Sequence, residues 1–451
     1  MANVIKLKKG LDINLKGKPL EVMLSSSSVS DSYAIVPSNY AGITPKVLAK
    51  VGDKVKAGSV LMIDKNYPEI KFVSPVSGEV TAVNRGEKRK VLSIVVKADA
   101  ENVYEDFGKK NVSNLKSEEI KEAILNAGLW PCIKQRPYDI VSRPSESPRD
   151  IFVSGYFSAP LAPDFDFVVK GQEADLQTGI DALAKLTNGK VYLGVKAGSS
   201  VKVNNAEIYE FQGAHPAGNV GVHINNIKPV NKGEVVWTLK ADDVILIGRL
   251  FNKGVADFSR IVAITGSDTT EQGYVKAIAG CKIGSLINGR IALTNYNIRI
   301  ISGNVLVGTK VSEDDFLGFY DNQITAIPEG DDVHEFLGWA AIGVSKFTAS
   351  KTFWSSFFAS KKKEYVVDAR IRGGKRAMII SNEYDKVFPM DIFPEYLLKA
   401  VITFDIDKME SLGIYEVAPE DFALCEVIDT SKIELQHIVR NALDLLYKEM
   451  N

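Results

Sequence analysis

Two glycine-punctuated blocks near the start of the chain constrain its fold more than any other feature. The first is Val51-Gly52-Asp53-Lys54-Val55-Lys56-Ala57-Gly58-Ser59-Val60-Leu61, and the second is Ser74-Pro75-Val76-Ser77-Gly78-Glu79-Val80. Glycine reaches positive φ at no steric cost, so Gly52-Asp53 and Gly58 supply tight reversals while the valines alternate sides of short strands. A third reversal, Arg85-Gly86-Glu87, precedes Val91-Leu92-Ser93-Ile94-Val95-Val96. Residues 1–100 are therefore expected to fold as a small β-domain.

The order of these blocks resembles the barrel-sandwich fold of biotinyl and lipoyl carrier domains. Such domains present a modified lysine in a D-K-A tip ahead of an S-P-x-S-G strand, and here Asp64-Lys65-Asn66 precedes Ser74-Pro75-Val76-Ser77-Gly78. The gap from Lys65 to Pro75 is two residues longer than the usual lipoyl spacing and contains Pro68. A modifying enzyme reads the position of the lysine at a tight tip, so an ordinary exposed lysine is the favoured reading. A carrier of an acyl, biotinyl or lipoyl group on Lys65 is the alternative class of function.

At 451 residues the chain exceeds one hydrophobic core, and about 150 residues per domain suggests roughly three domains. The pattern predicts a mixed α/β multidomain protein: the barrel-sandwich, lipoyl-like domain at 1–100; a Rossmann-like α/β domain without a phosphate loop at 101–255; a β-grasp, SLBB-like domain at 256–329; and a mixed C-terminal domain at 330–451. In the second region Ser117 is the expected N-cap of a helix whose face is Ile120, Ile124 and Ala127 and whose stop is Gly128. Trp130 to Pro163 carries six prolines and is expected as extended chain on a surface, interrupted by a strand at 151–155. A helix at about 172–188 and strands at 191–195 and 208–211 complete a strand–helix–strand alternation. The loop Gly155-Tyr156-Phe157-Ser158-Ala159-Pro160 lacks G-x-G-x-x-G, so it offers no cradle of amides to a pyrophosphate. The last helix is expected at about 431–449, with Ile438, Ala442, Leu445 and Leu446 on its buried face.

Several function classes are excluded. Lys+Arg 55 against Asp+Glu 56 leaves no basic excess for a phosphate backbone, so nucleic acid is not an expected partner. The start of the chain has no apolar secretory region, and the longest apolar runs, such as Val244-Ile245-Leu246-Ile247, are strand-sized, so no membrane span is expected. Cys132, Cys281 and Cys425 are scattered, which rules out a Cys-ligated cluster built by this chain alone and fits a reducing compartment. His215 and His223 lie in one Gly-rich loop without metal-ligand spacing, and a role tying loop backbone together is favoured. Arg85, Lys88, Arg89 and Lys90 form a basic turn, solvated by default and with an acidic partner surface as the lesser reading, and Lys361-Lys362-Lys363 is a solvated run.

Trp130, Lys134, Arg136 and Tyr138 fall within nine residues. A flat quinone headgroup wants a ring to stack on and donors for its carbonyl oxygens. If the chain contacts quinone, these residues, with Tyr40 as a neighbour, are the expected contacts, at an accessible surface; the favoured reading is that Trp130 and Tyr138 pin a Pro-rich strap onto a domain face. No catalytic or metal-binding residue is expected.

Taken in order, Lys8-Lys9-Gly10-Leu11-Asp12, Phe72 to Gly78, Asn84 to Arg89, Gln135-Arg136-Pro137-Tyr138, Pro160 to Pro163, His215 to Gly218 with Gly221 to Ile224, Arg376-Ala377-Met378 and Glu420 to Cys425 resemble the A subunits of the bacterial Na+-translocating NADH:quinone oxidoreductases. The resemblance runs through nearly the whole chain. It implies a peripheral subunit on the cytoplasmic face of the inner membrane, held there by membrane subunits of the complex. That complex oxidises NADH, reduces ubiquinone or menaquinone and exports Na+. It implies too that NADH, flavins and the iron–sulfur centre are handled by other subunits, with no cofactor bound by this chain. The fold is also similar to the flavin-carrying, NADH-oxidising subunit of respiratory complex I and to the C subunit of the Rnf complex. Here, however, Ala127-Gly128-Leu129-Trp130-Pro131-Cys132 replaces their Gly-rich flavin loop, and of their C-terminal cysteines only Cys425 has a counterpart.

Overall fold

The computed structural model describes residues 3–25, 30–331, 343, 346–350, 353–358 and 363–450; Lys361-Lys362 lies outside them. The first strand, β1 (Asn3–Lys6), does not join the N-terminal β-domain. It pairs parallel to a strand two hundred residues on, Asn3 opposite Tyr209. The chain then runs as a strap across the other units, with Gly10 N donating to Lys386 O, Lys16 N to Tyr365 O and Leu24 N to Tyr274 O.

The glycine-punctuated blocks form a barrel-sandwich of two small sheets. One holds β2 (Ser32–Ile35), β4 (Lys54–Val55), β7 (Gly78–Arg85) and β8 (Val91–Ala98); the other holds β3 (Pro45–Val47), β5 (Val60–Asp64) and β6 (Lys71–Val73). Gly52 and Gly58 take φ of 92° and 103°, the left-handed values their reversals need. Leu61, Phe72, Val80, Ile94 and Val96 fill the interior.

The second unit runs α1 (Ser117–Asn126), β9 (Lys134–Arg136), β10 (Ile140–Val141), β11 (Ile151–Gly155), α2 (Phe165–Val168), α3 (Glu173–Ala184), β12 (Val191–Lys196), β13 (Glu207–Gln212), α4 (Val220–Ile227), β14 (Val236–Lys240) and α5 (Ala241–Lys253). Its seven-stranded sheet has the order β1-β13-β12-β11-β14-β9-β10, parallel from β1 to β14 and antiparallel beyond. Period-2 alternation divides two cores. Ile151, Val153, Leu193, Val195, Trp237 and Leu239 face one, and Phe152, Tyr192 and Val236 the other. Helices α3 and α5 touch backbone to backbone, because a Cβ on Gly248 would lie 1.7 Å from Asp175 O.

Four sequence expectations need correction here. Ser117 is the first helical residue of α1 and not its cap; the capping bond is Lys116 N to Glu119 Oε2, at 2.8 Å. The run Val244 to Ile247 lies inside α5, started by Asp242 and Asp243 in its first turn and ended by Gly254 in αL, since a short apolar run has no periodicity to separate helix from strand. Residues 130–141 are buried sheet edge rather than surface wrap. In α10 (Leu435–Met450) Leu445 is 47% exposed and Leu443 takes its place inside.

The third unit is a mixed five-stranded sheet, β16 (Gly273–Ile278), β15 (Ser259–Thr265), β19 (Gln323–Pro328), β17 (Ile298–Ser302) and β18 (Thr309–Val311) in spatial order, with α6 (Ile283–Ile287) beside it. It docks on the barrel through Ala34 N donating to Gly280 O at 2.8 Å. The C-terminal unit packs α7 (Pro394–Thr403), α8 (Ile406–Ser411), α9 (Ala423–Ile428) and α10 against the second core.

Candidate functional site

Strand β9 sits where three units meet, and its alternation sets the chemistry. Gln135 turns to one side, donating to Glu146 Oε2 at 2.8 Å; Lys134 and Arg136 turn to the other. Lys134 Nζ lies 4.6 Å from the centre of the Tyr320 ring and 3.8 Å from Asp139 Oδ2. The Tyr320 hydroxyl donates to Pro131 O at 2.6 Å, and its ring meets Phe319 at 4.9 Å and Tyr40 at 6.0 Å. Tyr40 in turn packs edge-on to Phe72 at 4.6 Å. Burial pushes both tyrosine hydroxyls far above their ordinary range, so both are neutral donors at any physiological pH. A crevice lined by Asn39, Tyr40, Val73, Pro75, Phe258 and Phe319 opens beside Tyr40 and holds only about 20 Å³, on the order of one water's space.

The structure therefore brings Tyr40 and Lys134 together through Tyr320 and separates the other three expected residues from solvent. Trp130 is 0% exposed, stands T-shaped on Trp237 at 5.3 Å and donates Nε1–H to Ser142 O at 2.8 Å. Tyr138 is buried edge-on to Tyr447 at 5.3 Å, and Arg440 donates to the Tyr138 and Asp139 carbonyls. Arg136 is also fully buried, 3.6 Å from Asp421 Oδ2, 3.7 Å from Glu420 Oε1 and 4.0 Å from Asp139 Oδ1. The expected accessible surface is thus a protein interior at these positions, because β9 adds to β14 and the C-terminal unit covers the edge. Burial and the neighbouring Glu420 hold Asp421 well above the usual carboxylate range against the pull of Arg136. Asp139 moves the other way: burial opposes its charge, but Lys134, Arg136 and Arg440 outweigh it.

A second constellation escaped the sequence reading. Strand order reverses between β11 and β14, the switch point where doubly wound sheets bind ligands beyond the strand ends. Here the two helices that begin at that edge carry acid. Asp164 caps α2 with its Oδ1 accepting from Asp166 N, and Asp242 and Asp243 open α5. Helix N-termini favour anions; these already have their own. Arg260, from β15 of the third unit, reaches the start of α5, donating Nη2–H to Asp243 Oδ1 at 3.1 Å and lying 3.6 Å from Asp242 Oδ2. Burial, with Asp242 beside it, raises Asp243 strongly although Arg260 opposes. The signal was present in the sequence as an Asp-Asp pair directly after a strand; its partner, seventeen residues away in another unit, carried none.

The remaining candidates have structural surroundings. His215 Nδ1 lies 3.0 Å from Ser158 Oγ, while the His223 ring stacks on Phe211 at 4.0 Å with Nε2 3.0 Å from Ala217 O. Burial lowers both histidines to about 4, so both are neutral at pH 7. Lys65 is exposed in the turn between β5 and β6, where Asp64 Oδ1 accepts from Thr44 N and Asn66 N. Cys132, Cys281 and Cys425 are buried and apart, and among the described residues no group of His, Cys, Asp and Glu could hold a metal.

Family models match in chain order: the NqrA N-terminal barrel-sandwich hybrid domain at residues 5–99, the NqrA second alpha/beta domain at 115–256 and the NQRA C-terminal domain at 261–313. The chain is 35% identical to the A subunit of the Na(+)-translocating NADH-quinone reductase of Neisseria meningitidis over 452 residues, covering 99% of this chain and all of that one. It is 34% identical to the same-named protein of Pasteurella multocida and 35% to that of Haemophilus influenzae, at equal coverage. Among solved structures, a chain of the H2-reduced NAD+-reducing NiFe-hydrogenase aligns over 47% of each chain at 12% identity and a TM-score of 0.34, too slight to carry argument.

Proposed function

This chain belongs to the NqrA family, the A subunits of the Na+-translocating NADH-quinone reductases, and on that premise we propose that it is a peripheral, cofactor-free member of such a complex, facing the cytoplasm. The observation that carries this reading is the end-to-end match, 99% of this chain against 100% of a relative. Peripheral attachment is supported by the helices: among the described residues none is long and apolar enough to cross a membrane. The cofactor-free part is supported by the switch point, where acidic side chains occupy both helix starts and Arg260 is hydrogen-bonded to one of them. Electrons would pass from NADH to quinone through flavins and an iron–sulfur centre on partner subunits, with Na+ exported there. This chain would scaffold that assembly.

Within this reading, quinone contact belongs to the Tyr40–Tyr320–Lys134 cluster, with Trp130, Arg136 and Tyr138 as the buried frame that holds β9 in place. Lys134 keeps a partly exposed ammonium that can donate to a quinone carbonyl, and the tyrosine rings beneath it offer a stacking face. Stacking contributes roughly 0.5–1.5 kcal/mol beyond area and a charged hydrogen bond about 1.5–3 kcal/mol. Calorimetric titration of the full chain with a soluble short-chain quinone should show at least about tenfold weaker binding for Tyr40→Ala with Lys134→Gln. Equal affinity in the folded variant would remove quinone from this cluster. For the proposed membership of the complex as a whole, the test is whether NADH dehydrogenase activity and membrane subunits co-purify with the tagged chain.

A further inference from the structure

Between Glu335 and Glu364 the sequence contains no Asp, Glu or Arg, and its charges are five lysines, Lys346, Lys351, Lys361, Lys362 and Lys363. Solvated surface ordinarily intersperses both signs. Here the lysines are interleaved instead with aromatic residues, Phe347, Phe353, Trp354 and Phe357 among them.

Trp354–Phe358 forms a short 3-10 turn. Side chains at i and i+3 of such a turn eclipse, so Trp354 and Phe357 stand on one face. That face is turned outward. Trp354 is 59% exposed and Phe357 83%, while Ser355 between them is buried. Hydrogen bonds fix this orientation: Ser355 Oγ donates to Lys346 O, and Ser356 Oγ donates to Phe353 O at 2.7 Å. The turn is also tied to the body of the protein. Phe347 packs edge-on to Tyr365 at 5.6 Å, and Tyr365 N donates to Asn14 O of the N-terminal strap at 2.8 Å. Two cations accompany the rings. Lys346 Nζ lies 5.8 Å from the centre of the Phe353 ring and Lys363 Nζ 5.3 Å from that of Tyr365.

We infer that this turn is a lipid contact, in which Trp354 and Phe357 enter the headgroup layer of an anionic bilayer while Lys346 and Lys363 meet its phosphates. The inference goes beyond the function proposed above and rests on it only for bringing the chain to a membrane. Composition favours lipid over a protein partner. Protein interfaces enrich Arg and deplete Lys, and every cation in this stretch is Lys. An indole, apolar with one polar edge, suits the boundary between acyl chains and water. Each lysine held near an anionic leaflet strengthens binding roughly fivefold. A second copy of this chain would instead bring the same lysines against themselves. So few anchoring side chains give reversible binding, enough to orient the subunit on a surface without holding it there alone.

The experiment floats the purified full chain with protein-free vesicles of phosphatidylglycerol and phosphatidylethanolamine, or of phosphatidylcholine alone, at about 0.1 M and about 0.5 M salt, where screening differs. Wild type should float with the anionic vesicles at low salt, less at high salt, and little with phosphatidylcholine. The variant W354S/F357S should bind the anionic vesicles at least about tenfold more weakly, and W354F/F357L like wild type. The variant K346Q/K363Q should lose about tenfold or more on anionic vesicles and keep its weak binding to phosphatidylcholine. Thermal unfolding of all four chains should coincide, since the exposed rings carry no packing. Wild type that stays in solution overturns the inference, as does W354S/F357S floating as wild type does. Loss of co-purifying membrane subunits from W354S/F357S, with no vesicle binding by wild type, would assign the turn to a protein partner and overturn it too. A doubled mass in solution that W354S/F357S abolishes would assign it to a second copy, again against lipid. The vesicles contain no other subunit, so these failures leave membership of the complex standing; that reading falls only when wild type recovers no partner from its host.

Discussion

Two buried arginines join the central sheet to its neighbours, and they do so with different tightness. Arg260 reaches from the third unit to the start of α5 and makes a 3.1 Å hydrogen bond to Asp243, with Asp242 at 3.6 Å. Arg136 reaches from β9 into the C-terminal unit with three carboxylates around it, none nearer than 3.6 Å; among the described residues its side chain's hydrogen bond goes to Glu416 O at 3.3 Å. Among the described residues each guanidinium leaves two nitrogens and one carboxylate oxygen without a hydrogen-bond partner, Nε and Nη2 of Arg136 with Oδ1 of Asp421, and Nε and Nη1 of Arg260 with Oδ1 of Asp242, so the difference lies in the distances. The lesson is that a shared device, one guanidinium among several acids, can be a clamp on one side of a sheet and a loose joint on the other. Burial makes either costly to break, but a clamp with two dependent carboxylates loses more.

The largest effect should therefore come from Arg260→Ala. It strands Asp242 and Asp243 at about 5% exposure or less, and removing one partner of a buried ion pair costs about 3–5 kcal/mol. Urea or calorimetric unfolding should show the transition containing the third unit moving down by that amount; a loss under about 1 kcal/mol would mean the clamp holds nothing. Arg136→Ala should cost less, about 2–3 kcal/mol, because Asp139 keeps Lys134 and Arg440 and no carboxylate lies nearer than 3.6 Å to the guanidinium. A loss equal to that of Arg260→Ala would erase the distinction between clamp and joint.

Acidity sharpens it further. Asp243 and Asp421 are both pushed up to about 7 from 3.8. A carboxyl with a raised folded-state pKa binds its proton more tightly when folded, so its contribution to stability is present at low pH and is lost as pH rises through about 7. Asp139, shifted down, contributes in the opposite sense and loses its share only in acid. The variant Asp421→Asn cannot titrate and keeps an oxygen for Ala418 N. Its unfolding free energy should be flatter than wild type between pH 5.5 and pH 8, gaining about 1 kcal/mol relative to wild type at the upper end. An unchanged pH slope would show that the joint is already wet enough to ionise freely.

How much of this was open to a reader of the sequence follows from the range of each interaction. The barrel-sandwich was legible because its cause is local: Gly52, Gly58 and Gly78 hold the left-handed or extended turns that short strands need, and no distant residue alters that. The parallel sheet was half legible, since β11, β12 and α3 carry their own periodicity while the membership of β1 depends on Tyr209. At the candidate site, Lys134 and Tyr40 were named from side-chain chemistry, and each neighbours the Tyr320 ring. Tyr320, which joins them, was missed because its link to Pro131 spans 189 residues. Trp130 and Arg136 were taken as accessible from the prolines around them; prolines forecast the local chain and say nothing of what lands on top of it.

The smallest effect on stability is expected at Lys134, and that is what makes it useful. Its ammonium is nearly a third exposed, 3.8 Å from Asp139 and 4.6 Å above Tyr320. Solvent screens such a pair, so Lys134→Gln should cost about 0.5–1 kcal/mol, far below either buried arginine. Asp139 also loses one of the four cations that hold its pKa down, so the acid limb of the unfolding curve should begin at higher pH than in wild type. If quinone contacts this cluster, the same substitution should weaken the titration of a short-chain quinone several-fold, because a charged donor to a carbonyl oxygen is removed while the rings stay in place. Arg136→Ala should do the reverse, lowering stability strongly and affecting quinone only as far as β9 moves. A Lys134→Gln chain with full quinone affinity, or an Arg136→Ala chain that stays as stable as Lys134→Gln, would show that the two faces of the joint cannot be separated into a ligand side and a packing side.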